Sequence, residues 1–230
     1  MFFKLFFTTV LLAYSLALED DKYDTDIEKS RKPEHVIHPL MADRSSQREF
    51  TGEQIPEKEL QSLFEASRWA PSSKNIQPWR FVYALPNTTR FNEFAGLLEP
   101  ANQVWANKSA ALVVQIAPLF EEYKGKVYPI VPFKAMFDSG SAYLSLALEA
   151  AGRGLSAVAL GGIDYDRVYK VVNVTQKSHQ IPIMIAIGKN PDNKDRKTAK
   201  TITPRNTENK WLFRDTFVNT DPDGQDLEFQ

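Results

Sequence analysis

The chain has 230 residues, with 28 Lys plus Arg against 29 Asp plus Glu, three His and no Cys. That length supports one domain with a sizeable core, or at most two small ones, and balanced charge argues against nucleic-acid binding through a broad basic surface. The missing Cys excludes disulfides, iron–sulfur clusters, cysteine-held zinc and thiol nucleophiles.

Lys4 is the only charge before Glu19, and Leu5 to Leu18 is apolar apart from Thr8, Thr9 and Ser15. A short cationic start, an apolar run and a small-residue exit at Ser15-Leu16-Ala17 read as a secretory signal peptide over residues 1–17. The run is shorter than the roughly 20 residues of a permanent membrane span. The expected location is therefore the secretory route or outside the cytoplasm, with membrane contact only if the segment stays uncleaved. Residues 18–35 are charged and closed by Pro33, the composition of a solvated linker. The folded part is expected over 36–213, followed by an acidic tail over 214–230.

Ile55-Pro56 opens a helix with proline at its first position, and Leu60, Leu63, Phe64 and Ser67 mark one face up to Trp69. Trp79 to Leu85 alternates as a strand. Asn87 is placed to cap a helix carrying Phe91, Phe94 and Leu98. Ala110 to Ala117 is a continuous apolar run, as expected for a strand buried on both faces. A loop rich in Tyr, Pro and Lys extends to Pro132. Phe133 to Ala151 is the longest helix, crowded with small residues and stopped by Gly152 and Gly154. Leu155–Leu160 and Ile181–Ile187 read as core strands, with a short helix around Asp166–Val172 between them. After Gly188 the pattern gives way to a polar arm. The fold class is α+β.

Few chemical constellations survive. Three His without Cys make no metal site, and His35 and His38 read as surface residues. No serine-hydrolase elbow or phosphate loop occurs. Gly152-Arg153-Gly154-Leu155-Ser156-Ala157 matches a dinucleotide fingerprint only formally. Its helix precedes its strand, so the glycines read as a helix stop. Three Asn-x-Ser/Thr triplets, at Asn87, Asn107 and Asn173, stand against roughly one expected by chance at this composition.

Three segments carry a stronger signal. Arg44-Ser45-Ser46-Gln47-Arg48 brackets two hydroxyls with two guanidiniums, a set suited to a phosphate and a hydroxylated chain, or equally to a polar helix end. Ala70-Pro71-Ser72-Ser73-Lys74-Asn75-Ile76-Gln77-Pro78-Trp79 packs fixed donors and acceptors between a helix and a strand. Gly161-Gly162 follows a buried strand and lets backbone amides approach a flat ligand.

In this order the segments resemble the FMN-dependent nitroreductase family, from about Pro39 to Lys210 and in its bacterial-type NAD(P)H branch. Asp138-Ser139-Gly140-Ser141-Ala142 and Ile181-Pro182 through Ile187-Gly188 fit further family blocks. The resemblance implies an α/β sandwich with a central mixed sheet, an extended C-terminal arm, and a homodimer with FMN at the subunit interface. It implies that Arg44 and Arg205 bind the phosphate, with Ser46 on the ribityl–phosphate side, Ser45 among the cofactor-binding residues and Arg48 near the flavin N1–O2 edge. Pro71, Ser72, Ser73 and Asn75 would come from the opposite subunit. Asn102 would reach the isoalloxazine, and Gly161 and Gly162 would offer amides to N5 and O4. Hydride would pass from NAD(P)H through FMN to a nitroaromatic, quinone or similar acceptor in ping-pong order, with no catalytic side chain beyond the electrostatic Arg48. The competing readings are a non-turnover flavin binder of the secretory route and a flavin-dependent reductive dehalogenase. Close look-alikes often carry His and Met where Val158 and Leu160 stand, so this strand is expected to present an apolar wall.

Overall fold

The structure is a computed structural model and describes residues 33–191. The signal segment 1–17, nearly all of the 18–35 linker, the C-terminal arm with Arg205, and the 214–230 tail lie outside the described residues.

Helix α1 (Pro39–Asp43) begins at His38, whose Nδ1 accepts from the Leu40 N–H at 3.3 Å, so this histidine caps a helix. Helix α2 (Glu57–Arg68) starts one residue later than expected, with Pro56 at the N-cap and Glu57 and Glu59 complementing the helix dipole. Strand β1 (Arg80–Ala84) is followed by α3 (Thr89–Ala95) and α4 (Pro100–Ala106). Thr88, rather than Asn87, caps α3: its side chain accepts from the Phe91 N–H, while Asn87 sits left-handed at φ 64°.

Strand β2 (Ala111–Pro118) leads into a hairpin, β3 (Phe120–Tyr123) and β4 (Lys126–Pro129), where the sequence suggested a loop. Helix α5 (Pro132–Gly152) is 21 residues, about 31 Å at 1.5 Å per residue. Gly154 (φ 71°) turns the chain into β5 (Leu155–Leu160), confirming the helix-stop reading of the two glycines. Helix α6 (Tyr165–Val171), β6 (His179–Gln180) and β7 (Met184–Lys189) complete the described chain.

The main sheet runs β1-β2-β7-β5, with β6 paired to β2. The α+β class holds. Among the described residues, however, every pairing is antiparallel, so the expected mixed sheet is corrected there. The connection through α3 and α4 returns the chain beside β1 in the opposite sense instead of making a parallel crossover.

Alternation along β2 divides the core. Leu112, Val114 and Ile116 pack with Phe91, Phe94 and Leu98 around α3, with Ala106 and with Val168 of α6. Ala111 and Val113 face the other way, onto Leu60 and Leu63 of α2 and Leu146, Ala147 and Ala150 of α5. The sheet is thus sandwiched between an α3–α4–α6 layer and an α2–α5 layer. Val158 and Leu160 lie in the first of these cores, buried. They brace the sheet, which corrects the expectation that they form a wall facing substrate.

Candidate functional site

Arg44 is the C-cap of α1, so the segment begins as a helix end, and residues 45–50 belong to neither helix nor strand. Burial alternates along it: Ser45 and Gln47 are buried, and Ser46 and Arg48 are exposed. Gln47 Nε2 donates to Ser45 Oγ at 3.2 Å, so Ser46 is the hydroxyl presented to the surface. Arg44 lies beside Tyr143 of α5. Burial pushes the Tyr143 phenol up, against the opposing effects of the Ala159 N–H and the Arg44 charge. The Tyr143 hydroxyl donates to Ala157 O (3.1 Å) and accepts from Ala159 N–H (3.3 Å), tying α5 to β5. Further on, the Arg48 guanidinium stands 6.0 Å from the Trp105 ring of α4, and Phe50 packs on the same ring with centroids 5.8 Å apart. The segment thus passes from the α5 layer to the α4 layer, leaving one arginine on each side.

The 71–78 segment stores backbone strain. Lys74 (φ 52°), Asn75 (φ 58°) and Gln77 (φ 55°) are all left-handed without being glycine. What holds them is a set of side chains on α5 and within the loop. Asp138, 5% exposed, accepts from the Ser73 N–H through Oδ2 at 3.0 Å. Ser139 Oγ donates to Pro78 O at 2.8 Å, and the Gln77 N–H donates to Ser72 Oγ at 2.9 Å. Asn75 stays exposed at the rim of a hollow of about 410 Å³ between this segment and the β3–β4 hairpin.

Asp138 was visible in the sequence only as the acid in a run of small residues. Its role as the loop's anchor makes a prediction. Asp138→Ala should release a charge-assisted hydrogen bond of about 2 kcal/mol. Amide exchange over residues 73–77 would then speed up roughly thirty-fold. Asp138→Asn keeps an acceptor and should recover most of the protection; equal exchange in the parent and the alanine variant would refute the anchor.

At the end of β5, Gly161 and Gly162 use their carbonyls but not their amides. Gly161 O accepts from Ile163 N–H and Gly162 O from Glu99 N–H, both at 3.0 Å. Neither glycine N–H has an acceptor among the described residues. A Cβ on Gly161 would meet nothing within 4 Å. At Gly162 it would fall 2.5 Å from Glu99 Oε2 and 2.9 Å from Asn102 Nδ2. A side chain at the second position would displace the Glu99 carboxylate and the Asn102 amide, whereas the first borders open space. Asn102, whose Nδ2 reaches Gly162 O at 3.5 Å, lies at this same corner, on the helix that carries Trp105.

Strand directions place these groups. Gly161 and the 71–78 segment lie at the same end of the sheet, because β2 and β5 run in the same sense and β1 opposes them. They lie at opposite edges, about 14 Å apart over three strand spacings of ~4.8 Å. Asn102, Gly161 and Gly162 meet at the β5 corner, while Arg48 stands against Trp105 of the helix that carries Asn102, and Arg44 lies beside Tyr143 on the α5 layer. Pro71, Ser72, Ser73 and Asn75 belong to the other edge. The two groups of donors are thus separated within one chain. The donors suit an anionic group and a planar, hydrogen-bond-accepting ring, and no cluster of His, Cys, Asp or Glu able to hold a metal occurs among the described residues.

The nitroreductase family model matches residues 41–117. The chain is 30% identical over 57 residues to YfhC of Bacillus subtilis, an NAD(P)H nitroreductase by name, covering 25% of this chain and 29% of that protein. It is 28% identical over 121 residues to a protein of Archaeoglobus fulgidus named as an NADH dehydrogenase/NAD(P)H nitroreductase, covering 51% and 63%. The matches thus span less than two thirds of either curated relative. Among solved structures, an oxidoreductase containing FMN superposes with a TM-score of 0.74 at 31% identity, over 83% of this chain and 97% of its own. A nitroreductase in complex with FMN from Desulfovibrio desulfuricans gives a TM-score of 0.62 at 20% identity, over 79% and 99%, a likeness of fold.

Proposed function

The chain belongs to the nitroreductase family, and from that premise we propose that it is an FMN-dependent oxidoreductase. Its electron donor is NAD(P)H and its acceptors are nitroaromatics, quinones or related small molecules, taken in ping-pong order. The observation that carries the reading is the pair of unclaimed amides at Gly161 and Gly162, the first beside open space and the second next to Asn102. FMN, when bound, supplies the hydride chemistry.

The residues supply position and charge. The Gly161 and Gly162 amides are donors for the ring's polar edge, and Arg48, braced over Trp105, offers positive charge where a reduced ring gathers negative charge. Arg44 and Ser46 suit the phosphate and the hydroxylated chain. The Gly161 half-site lacks the donors of the 71–78 segment, which lies at the far edge of the same chain. A second copy supplies them, and the proposed active form is a homodimer.

An apolar stripe supports that assembly. On α5, Phe133, Met136, Phe137 and Leu144 are exposed, at spacings of three, four and seven residues around an open Gly140. Phe133 and Phe137, 76% and 68% exposed, stack at 6.4 Å. Such a stripe is costly to leave in water and marks an interface. Gly140, with room around it, permits close approach of a second α5.

The test is spectroscopic. The purified chain should be yellow, bleach on addition of NADH or NADPH under anaerobic conditions, and regain colour with menadione or nitrofurazone. A colourless protein that cannot be reconstituted with FMN would overturn the proposal.

A further inference from the structure

The three Asn-x-Ser/Thr triplets play no part in the proposed reaction, and the structure gathers them on one side. Asn87 lies left-handed between β1 and α3, Asn107 is the C-cap of α4, and Asn173 (φ 55°) follows α6. These three helices form one layer of the sandwich, opposite the layer that carries the α5 stripe. Arg90 Nη1 donates to Val171 O at 2.9 Å, which holds α3 beside the end of α6. Asn87 and Asn107 line one open hollow of about 720 Å³ with Asn92 and Gln103. All three acceptor asparagines are exposed, and their side-chain amides make no hydrogen bond among the described residues.

A second observation concerns the hydroxyl of the middle triplet. Ser109 is 2% exposed, and its Oγ is buried without a hydrogen-bond partner among the described residues. An unpaired buried hydroxyl is a net cost to the fold, and alanine would serve packing better. The hydroxyl has a use as the third member of Asn107-Lys108-Ser109, read before the chain folds around it.

We propose that Asn87, Asn107 and Asn173 carry N-linked oligosaccharides, which clothe the α3–α4–α6 face and leave the α5 face bare. This requires entry into a eukaryotic secretory route, the destination that Leu5–Leu18 suggests. In the transfer, each asparagine Nδ2 bonds to the anomeric carbon of an oligosaccharide carried on a polyprenyl diphosphate. The bond from that carbon to the diphosphate oxygen breaks, the diphosphate leaves with the electron pair, and the amide proton passes to a carboxylate base of the transferase. The sugars restrict one face to solvent and direct self-association to the other.

The full chain, expressed in insect or mammalian cells, is treated with peptide-N-glycosidase and compared with Asn87→Gln, Asn107→Gln and Asn173→Gln. Each variant should lose one of three mobility steps, and peptide mass spectrometry of the parent should find Asn converted to Asp at all three positions. Ser109→Ala should lose the Asn107 step with an unchanged or higher melting temperature, and Ser109→Thr should keep the step. An untreated chain of unmodified mass, or enzyme-sensitive sugar at fewer than three of these positions, overturns the proposal. The outcome is independent of flavin content.

Discussion

Phe137→Glu should convert the protein from an FMN-retaining dimer into a flavin-free monomer while leaving the fold of each chain intact. The side chain is 68% exposed and contributes to none of the four buried clusters, so folding of the single chain loses little. In the proposed dimer the same position would be desolvated. A twofold interface brings each glutamate to the partner's copy of the same surface, so that two carboxylates are buried without counter-charges. An unpaired buried charge costs about 3 kcal/mol or more, which raises the dissociation constant by at least ~150-fold. Loss of flavin follows because the Gly161 corner and the 71–78 segment lie at opposite edges of one sheet, so a lone chain offers only half of the donors. Sedimentation velocity, with the ratio of visible to ultraviolet absorbance, reads both effects. Asn92→Glu, on the exposed side of α3, should change neither. A Phe137→Glu protein that sediments as a dimer with full flavin would remove both the proposed interface and the shared-site geometry.

How much of this was legible before the structure follows from how strongly each segment states its period. The Ala110–Ala117 run read as a strand buried on both faces, which β2 (Ala111–Pro118) is, and the small residues of α5 pointed to close approach by a helix or a flat ligand. Helices α1 and α4 have five and seven residues, too short to show a helical period. The β3–β4 hairpin was hidden by its turn. Lys124 (φ 52°) and Gly125 (φ 72°) are both left-handed, the geometry usually announced by Asn-Gly, and lysine in the first place masks it. At the candidate site, residue types singled out Arg44, Arg48, the 71–78 segment and the glycines. Sequence could not show which hydroxyl faces outward, and only burial separates Ser46 from Ser45. Nor could it separate the two glycines, since the side chains crowding Gly162 belong to Glu99 and Asn102, some sixty residues away. Trp105 and Asp138 act by bracing the site, and bracing is a property of packing rather than of a motif.

That bracing also makes Gly188→Ala costly. Gly188 lies in β7 opposite Ser156, and an added Cβ would fall 2.7 Å from Phe50 Cδ1, 3.0 Å from Cγ and 3.2 Å from Cε1. The obstacle is the body of an aromatic ring, which cannot fold away as a flexible chain end can. Phe50 is 4% exposed and already rests against Trp105, while the next residue is tied to β7 by Thr51 N–H to Lys189 O at 3.0 Å. With backbone fixed on one side and an indole on the other, the ring has little room to retreat. Overpacking of this kind costs about 1–3 kcal/mol. For a chain of this size that corresponds to a fall in melting temperature of roughly 4–8 °C at about 2 kcal/mol. The displaced ring would press on Trp105, over which Arg48 is poised, so flavin reduction by NAD(P)H should slow along with the loss of stability. Phe50→Leu in the same chain removes the clashing ring and should restore part of the melting temperature, although on its own it should destabilise. If the double variant melts no higher than Gly188→Ala alone, the contact between position 188 and this ring is not what makes glycine necessary there.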